Sequence, residues 1–71
     1  METRTIKLPD IYVSMLVNLP ESGMGYQIVN VILRSGQVLH NHKVLNSELL
    51  MLEENEHVRA RDIANIVVES N

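Results

Sequence analysis

The stretch IVNVILRSGQVLHNHKVLNSELLML, residues 28–52, decides the fold class of this 71-residue chain. Its apolar residues fall into three short runs, rich in β-branched side chains, which Ser35-Gly36 and Asn46-Ser47 separate. Serine, asparagine and glycine are typical of turns, and glycine adopts the positive φ that tight hairpins require. The stretch therefore predicts a three-stranded antiparallel meander.

The flanking segments complete the predicted fold. Residues 53–57 are hydrophilic and predict a loop, residues 60–66 predict one or two helical turns, and residues 66–70 predict a closing strand. Residues 11–19 fit either a half-buried strand or one face of a helix. We favour the strand because the segment is short and β-branched, although Pro9 before it is typical of a helix start.

Together these elements predict a single small domain over residues 1–71. We expect a mainly β fold, either a small bent antiparallel sheet or an SH3-like or Sm-like barrel of four or five strands. One short helical turn is expected near the C-terminus.

Composition narrows the class of protein. Cysteine is absent, which excludes disulfides and thiolate sites and favours the cytoplasm. Apolar residues make up 45% of the chain and aromatic residues only 3%, so the core must be aliphatic. The first residues are polar and lead into no long apolar run, so we predict neither a signal peptide nor a membrane span.

The balance of charge argues against nucleic acid as a partner. Six basic and nine acidic side chains give a formal charge of −3, whereas binding to a phosphate backbone depends on positive charge. The basic residues Arg34, Lys43, Arg59 and Arg61 are also scattered along the sequence. A DNA- or RNA-binding small barrel is kept only as an alternative.

The meander is apolar on both sides. Val29 and Val31 point to one side of their predicted strand and Ile28 and Ile32 to the other, while residues 49–52 are apolar throughout. An antiparallel sheet usually keeps one polar face. The second face therefore needs cover, from the N-terminal segment or from another copy of the chain. We predict a homo-oligomer, most simply a dimer.

The entry to the meander, Gly23-Met24-Gly25-Tyr26-Gln27, is the candidate ligand- or partner-binding loop. Its glycines would let a ligand approach the backbone, Tyr26 offers a stacking face and Gln27 an amide. The loop lacks the lysine of a P-loop and the third glycine of a dinucleotide fingerprint. The alternative interpretation is a plain loop that leads into a strand.

His40 and His42 are the candidate metal ligands. Residues two apart on a strand face the same side, so both imidazoles can reach one ion, with His57 or Glu48 completing the set. Without a third ligand at a defined spacing, a solvated strand face is the simpler interpretation. We predict no metal and no cofactor, and keep a metal-binding protein or enzyme as an alternative.

The remaining polar patterns indicate no catalysis. The acidic run at residues 53–56 lacks the spacing of a calcium loop, and no serine stands in a Gly-x-Ser-x-Gly elbow. For residues 59–62 we expect Asp62 in the first turn of a short helix, with Arg59 and Arg61 in water. We predict that the protein is not an enzyme.

Two resemblances bear on these expectations. GMGYQIVNVILRSGQVL (residues 23–39), followed by DIANIVV (residues 62–68), resembles short bacterial proteins of uncharacterised function and implies a bacterial source. At fold level, Gly36 after the first long strand and the short last strand are similar to Sm-like small barrels. Asn41 stands where a bending glycine is common in that family, and the basic-glycine signature near the end is missing, which argues against RNA contacts.

The function that we expect is a non-catalytic interaction module. It would self-associate and bind a protein or a small ligand near the Gly23–Gln27 loop.

Overall fold

The computed structural model describes residues 4–69. Within this range, five strands form one open antiparallel sheet, accompanied by one α-helix and one 3-10 helix. The elements are β1 (Arg4–Lys7), α1 (Asp10–Leu16), β2 (Tyr26–Leu33), β3 (Val38–Leu45), β4 (Leu49–Leu52), the 3-10 helix (Ala60–Asp62) and β5 (Ile63–Val68).

The strands lie in the order β1-β4-β3-β2-β5, and every neighbouring pair is antiparallel. The mainly β fold, the meander and the short helical turn near the C-terminus are confirmed. Of the two predicted forms, the structure has the sheet rather than a closed barrel, with β1 and β5 at its edges. No helix in the part of the chain that the structure describes has the length and hydrophobicity to cross a membrane.

The strand that we favoured over residues 11–19 is wrong, because α1 occupies most of this segment. The helix starts directly after Pro9, whose carbonyl oxygen accepts hydrogen bonds from the amides of Tyr12 and Val13. Packing decides the outcome: Leu16 is fully buried, whereas Ile11 is 73% exposed. An alternating strand would have buried every second residue, but the helix buries the face that contains Tyr12, Val13 and Leu16.

The fifth strand comes instead from β1, a polar stretch that the sequence did not single out. It pairs with β4 in a register that places Ile6 opposite Leu50 and Arg4 opposite Leu52. The tetrapeptide Arg-Thr-Ile-Lys carries too short a pattern to predict a strand by itself. Among the described residues it pairs only with β4, so it is an edge strand.

The turn between β3 and β4 confirms the predicted break at Asn46-Ser47. Both residues have positive φ, 51° and 63°, as a type I′ hairpin turn requires, and the Glu48 amide closes the turn onto the Leu45 carbonyl. Asparagine tolerates this conformation better than most residues. Gly36, in the other predicted turn, also has positive φ.

The core lies against one side of the sheet, the inner face. Helix α1 packs on this side through Leu16, and Leu8 beside it is also buried. The core is aliphatic, as the composition predicts. Its buried strand members are Val29, Val31, Leu33, Leu39, Val44, Leu50, Leu52, Ile63 and Ile66.

The opposite side of the sheet, the outer face, carries aliphatic side chains among polar ones such as Thr5, Lys7 and Lys43. It is defined here by Ile28, Ile32, Leu45, Leu49 and Met51, each of which is half-buried and neighbours a buried inner-face residue along its strand. None of the five is among the residues that form or flank the core cluster. The N-terminal segment therefore covers the inner face and leaves the outer face without α1.

Candidate functional site

The predicted binding loop is a tight turn with a fixed shape. The amides of Ser22 and Gly23 both donate to the carbonyl oxygen of Tyr26, at 3.0 and 3.2 Å. The carbonyl oxygen of Gly25 accepts a hydrogen bond of 3.0 Å from the Asn46 amide, which ties the loop to the β3–β4 turn. These bonds hold the loop at both ends.

The two glycines of the loop are needed for different reasons. Gly25 has a φ of 81°, a region that other residues rarely adopt, and the space around its Cα is open. Gly23 has no such torsion, but a Cβ atom there would lie 2.3 Å from ring atoms of Tyr26. The Tyr26 ring therefore lies against the backbone of Gly23.

The ring of Tyr26, proposed as a stacking face, already has neighbours. The Lys43 ammonium lies 4.8 Å from the ring centroid, a cation–π distance, and the Gly23 backbone lies against the ring. Tyr26 is half-buried and opens β2 opposite Leu45. It thus joins the loop to the first residues of the sheet.

Gln27 points the other way, into the core. It is 1% exposed, and its Nε2 donates to the Leu16 carbonyl oxygen at 3.0 Å. The carbonyls of Leu19 and Pro20 lie at 3.3 and 3.4 Å from the same nitrogen, and the Ser47 hydroxyl donates to Oε1 at 3.4 Å. The Leu16 carbonyl also accepts a hydrogen bond of 3.0 Å from the Leu19 amide, so Gln27 supplies a second donor at the C-terminal end of the helix. Gln27 therefore links α1 to the sheet.

Met24 occupies the tip of the loop and is 98% exposed. Such exposure is unusual for a large apolar side chain, since burial would stabilise the chain by about 1.5–3 kcal/mol. The structure thus brings Gly23, Met24, Gly25 and Tyr26 together on a surface loop, and it separates Gln27 from them.

The two candidate metal-ligating histidines do not share a face. The register places Val29 opposite His42 but Val31 opposite Leu39, because β3 contains a bulge at Asn41, where φ is 57°. Leu39 and His42 therefore lie on the inner side, and His40, which directly follows Leu39, lies on the outer side. The same-side spacing that motivated the metal hypothesis holds only for a regular strand.

A pair that the sequence did not reveal forms around His42 instead. Its Nε2 lies 2.8 and 2.9 Å from the two carboxylate oxygens of Glu56, and its Nδ1 lies 2.9 Å from the His40 carbonyl oxygen. Both ring nitrogens thus lie within hydrogen-bonding distance of oxygen atoms. Glu56 was expected in a solvated acidic loop, 14 residues away in sequence.

The surroundings of the Glu56 carboxylate lower its pKa. Burial raises the pKa of Glu56, but the Glu53 amide and the His42 ring outweigh burial, so its pKa lies below the ordinary value. The Arg4 guanidinium donates to the Glu56 main-chain carbonyl oxygen and lies 3.4 Å from His57 Nδ1. These contacts fasten the loop before the 3-10 helix to β1 and β3.

Other predicted groups have structural partners. The Arg59 amide donates to Asp62 Oδ2 at 2.9 Å, which caps the 3-10 helix, and Arg34 Nε donates to the Arg61 carbonyl oxygen at 2.8 Å. Among residues 4–69, no three His, Cys, Asp or Glu side chains are grouped so that they can hold a metal ion.

Two surface features have no partner within the described residues that accounts for them: the Met24 loop and the outer face of the sheet. Comparison of the chain with protein-family models, curated proteins and solved structures finds no match. The functional account therefore depends on the geometry of these two surfaces.

Proposed function

We propose that this protein is a non-catalytic interaction module, which self-associates through its outer face and binds a protein partner through the Met24 loop. The observation that carries the proposal is the outer face itself. Five aliphatic side chains of the meander lie there half-buried, on the side of the sheet opposite α1.

A second copy of the chain is the occupant that suits this face. Packing two outer faces about a twofold axis buries the same aliphatic residues in both copies, so one surface serves as both halves of the interface. Stable interfaces bury about 800 Å² per partner. That is about one sixth of the 4825 Å² accessible surface of this chain, which one face of so small a domain can supply.

Self-association would also compensate for the small size of the core. A domain of this length buries only about 60% of the surface that its unfolded chain exposes, so its stability is limited. A dimer adds apolar burial without adding chain length. The same argument explains why the outer face keeps leucine, isoleucine and methionine where an isolated sheet would carry polar side chains.

Light scattering across a concentration series tests the self-association. We expect the mass to approach twice the 8.1 kDa of one chain at high micromolar concentration. Ile32→Lys places a charge on the outer face and should shift the mass to that of a monomer, because an unpaired charge resists burial. Gln37→Lys adds the same charge at an exposed turn and should leave the dimer intact. A monomeric wild-type protein would contradict the proposal.

The Met24 loop is proposed as the contact for a different protein. Its hydrogen bonds fix the backbone on either side of Met24 before binding, which reduces the backbone entropy lost in a complex. Methionine is flexible and polarizable, so it adapts to apolar pockets of different shape. The glycines on either side leave its side chain open to approach.

Affinity capture with matched variants tests this second contact. A partner retained by the wild type and by Gln37→Lys, but lost with Met24→Lys, would be identified by mass spectrometry and purified. Its affinity should then fall about tenfold or more on Met24→Ala, as expected for an apolar residue central to an interface. Equal binding of the purified partner to the wild type and Met24→Ala would contradict the role of Met24.

A further inference from the structure

A groove of about 710 Å³ runs between the C-terminal end of α1 and strand β5. One wall contains Met15, Leu19 and Pro20, and the other contains Ile66 and Val68. Leu19 is 39% exposed and Met15 is half-buried. The groove is therefore an apolar channel that lies beside a strand at the edge of the sheet.

The backbone of β5 is available along this groove. Within the described residues β5 pairs only with β2. The Glu69 amide donates to the Ile28 carbonyl oxygen, so the alternation of an antiparallel ladder turns the amides and carbonyls of Val68 and Ile66 away from β2. These two residues therefore present their main-chain groups at the edge, beside the apolar wall.

The groove has one acidic end. Glu69 follows β5 and hydrogen-bonds the Ile28 carbonyl oxygen, while the Ile28 amide donates to the Ser22 hydroxyl at 2.9 Å. Glu21, next to Ser22, and Glu69 are both exposed and both line the groove, and no basic residue among the described residues 4–69 does. This end therefore favours a positively charged group.

We infer that the groove binds an extended segment of a protein partner, which adds a strand to β5. Its backbone would pair with Ile66 and Val68, its alternate apolar side chains would enter the groove, and a Lys or Arg at its end would lie near Glu21 and Glu69. Strand addition of this kind takes its affinity from main-chain hydrogen bonds and its specificity from side-chain pockets. This site differs from the outer face and from the Met24 loop.

In the free protein, the Asn65 side chain occupies one of the backbone amides at the free edge of β5. Its Oδ1 accepts a hydrogen bond of 2.9 Å from the Ile66 amide, one of the two amides that face away from β2. A side chain that occupies an edge amide hinders unwanted pairing of strands. The carbonyl of an incoming strand must replace Asn65 Oδ1, so Asn65→Ala, which removes the competitor, should strengthen binding.

A designed peptide tests the inference. The probe is acetyl-Lys-Val-Thr-Val-Thr-Val-Thr-amide, titrated into the isotope-labelled protein and followed by amide NMR. We expect saturable shifts at Ile66, Val68 and Leu19 and slower hydrogen exchange at the Val68 amide. A peptide with proline as its central residue cannot complete the ladder and should not bind.

Variants of Glu21 and Glu69 test whether these residues contact the lysine of the peptide. Glu21→Gln combined with Glu69→Gln should weaken binding of the lysine peptide by about two- to fivefold, the range of one exposed ion pair, and should not weaken binding of the same peptide with glutamine in place of lysine. Circular dichroism checks that the variants fold. Equal binding of the proline peptide, shifts confined to other surfaces, or no shift at millimolar probe would each overturn the inference.

Discussion

Both faces of the sheet carry the same aliphatic residue types, although polar side chains such as Lys43 lie among them on the outer face, and α1 covers only the inner face. Leu50 is fully buried beneath the covering elements, whereas its neighbour Leu49, one residue earlier in β4, is half-buried on the outer face. The difference shows that apolar content alone does not determine which side of a small sheet becomes the core. The side on which α1 packs becomes the core, and the other side remains available for association.

The largest difference in stability between the two faces is expected when leucine side chains of β4 are shortened to alanine. Leu50→Ala should lower the free energy of unfolding by about 2–5 kcal/mol, because it leaves a cavity among close-packed neighbours. Leu49→Ala should cost less than half as much in the monomer, since its side chain is only partly buried. Urea unfolding at low micromolar concentration, where the monomer dominates, measures both. Equal losses would mean that the outer face is also packed within one chain.

A second comparison lies within the candidate loop, between Gln27 and Met24. Gln27→Leu should lower the free energy of unfolding by about 1–3 kcal/mol, because it removes the amide nitrogen that lies near the carbonyls of Leu16, Leu19 and Pro20 and leaves Leu16 only the Leu19 amide. Met24→Leu, at a position that is 98% exposed, should change it by less than about 0.5 kcal/mol. Thermal unfolding followed by circular dichroism distinguishes them. If Gln27→Leu left the free energy of unfolding unchanged, Gln27 would not be needed to link α1 to the sheet.

A third test concerns the shape of the loop. Gly25→Ala places a Cβ on a residue with a φ of 81° and should destabilise the protein by about 1–2 kcal/mol. Because space around Gly25 is open, this loss would report the torsion alone. Chemical denaturation measures it, and an unchanged midpoint would show that the loop adopts another conformation at no cost.

The smallest effect on stability is expected from a change of pH, which acts on Glu56 beside His42. The folded pKa of Glu56 lies below its ordinary value of 4.5, so its ionised form contributes stability above that pH, and this contribution is lost as the pH falls further. Between about pH 5 and pH 3, the wild type should therefore lose more stability than Glu56→Gln. His40→Ala, on the outer side of β3, serves as the control with a wild-type pH profile. Parallel profiles for the wild type and Glu56→Gln would show that the Glu53 amide and His42 do not lower the pKa of Glu56.

Much of the sheet could be predicted because its signals are local. The meander needs only β-branched runs and the turns at Ser35-Gly36 and Asn46-Ser47, which act over a few residues. The choice between strand and helix at residues 10–16 could not be made this way, because the packing of Leu16 against the core decides it.

The candidate site was predicted in part for the same reason. Gly23 and Gly25 mark a turn by residue type alone, but the exposure of Met24 is seen only in the structure. The inward direction of Gln27 depends on carbonyls at the end of α1, and the separation of His40 from His42 depends on the bulge at Asn41. Neither the helix end nor the bulge leaves a periodic signal in the sequence.

The measurement that tests the central proposal most directly is an intermolecular NOE experiment on a mixture of isotope-labelled and unlabelled chains. If the outer face is the interface, cross-peaks between copies should connect the methyl groups of Ile28, Ile32, Leu49 and Met51 and should vanish with Ile32→Lys. Cross-peaks between copies that involve only other surfaces, or none at the high micromolar concentration where a dimer is expected, would contradict the proposal.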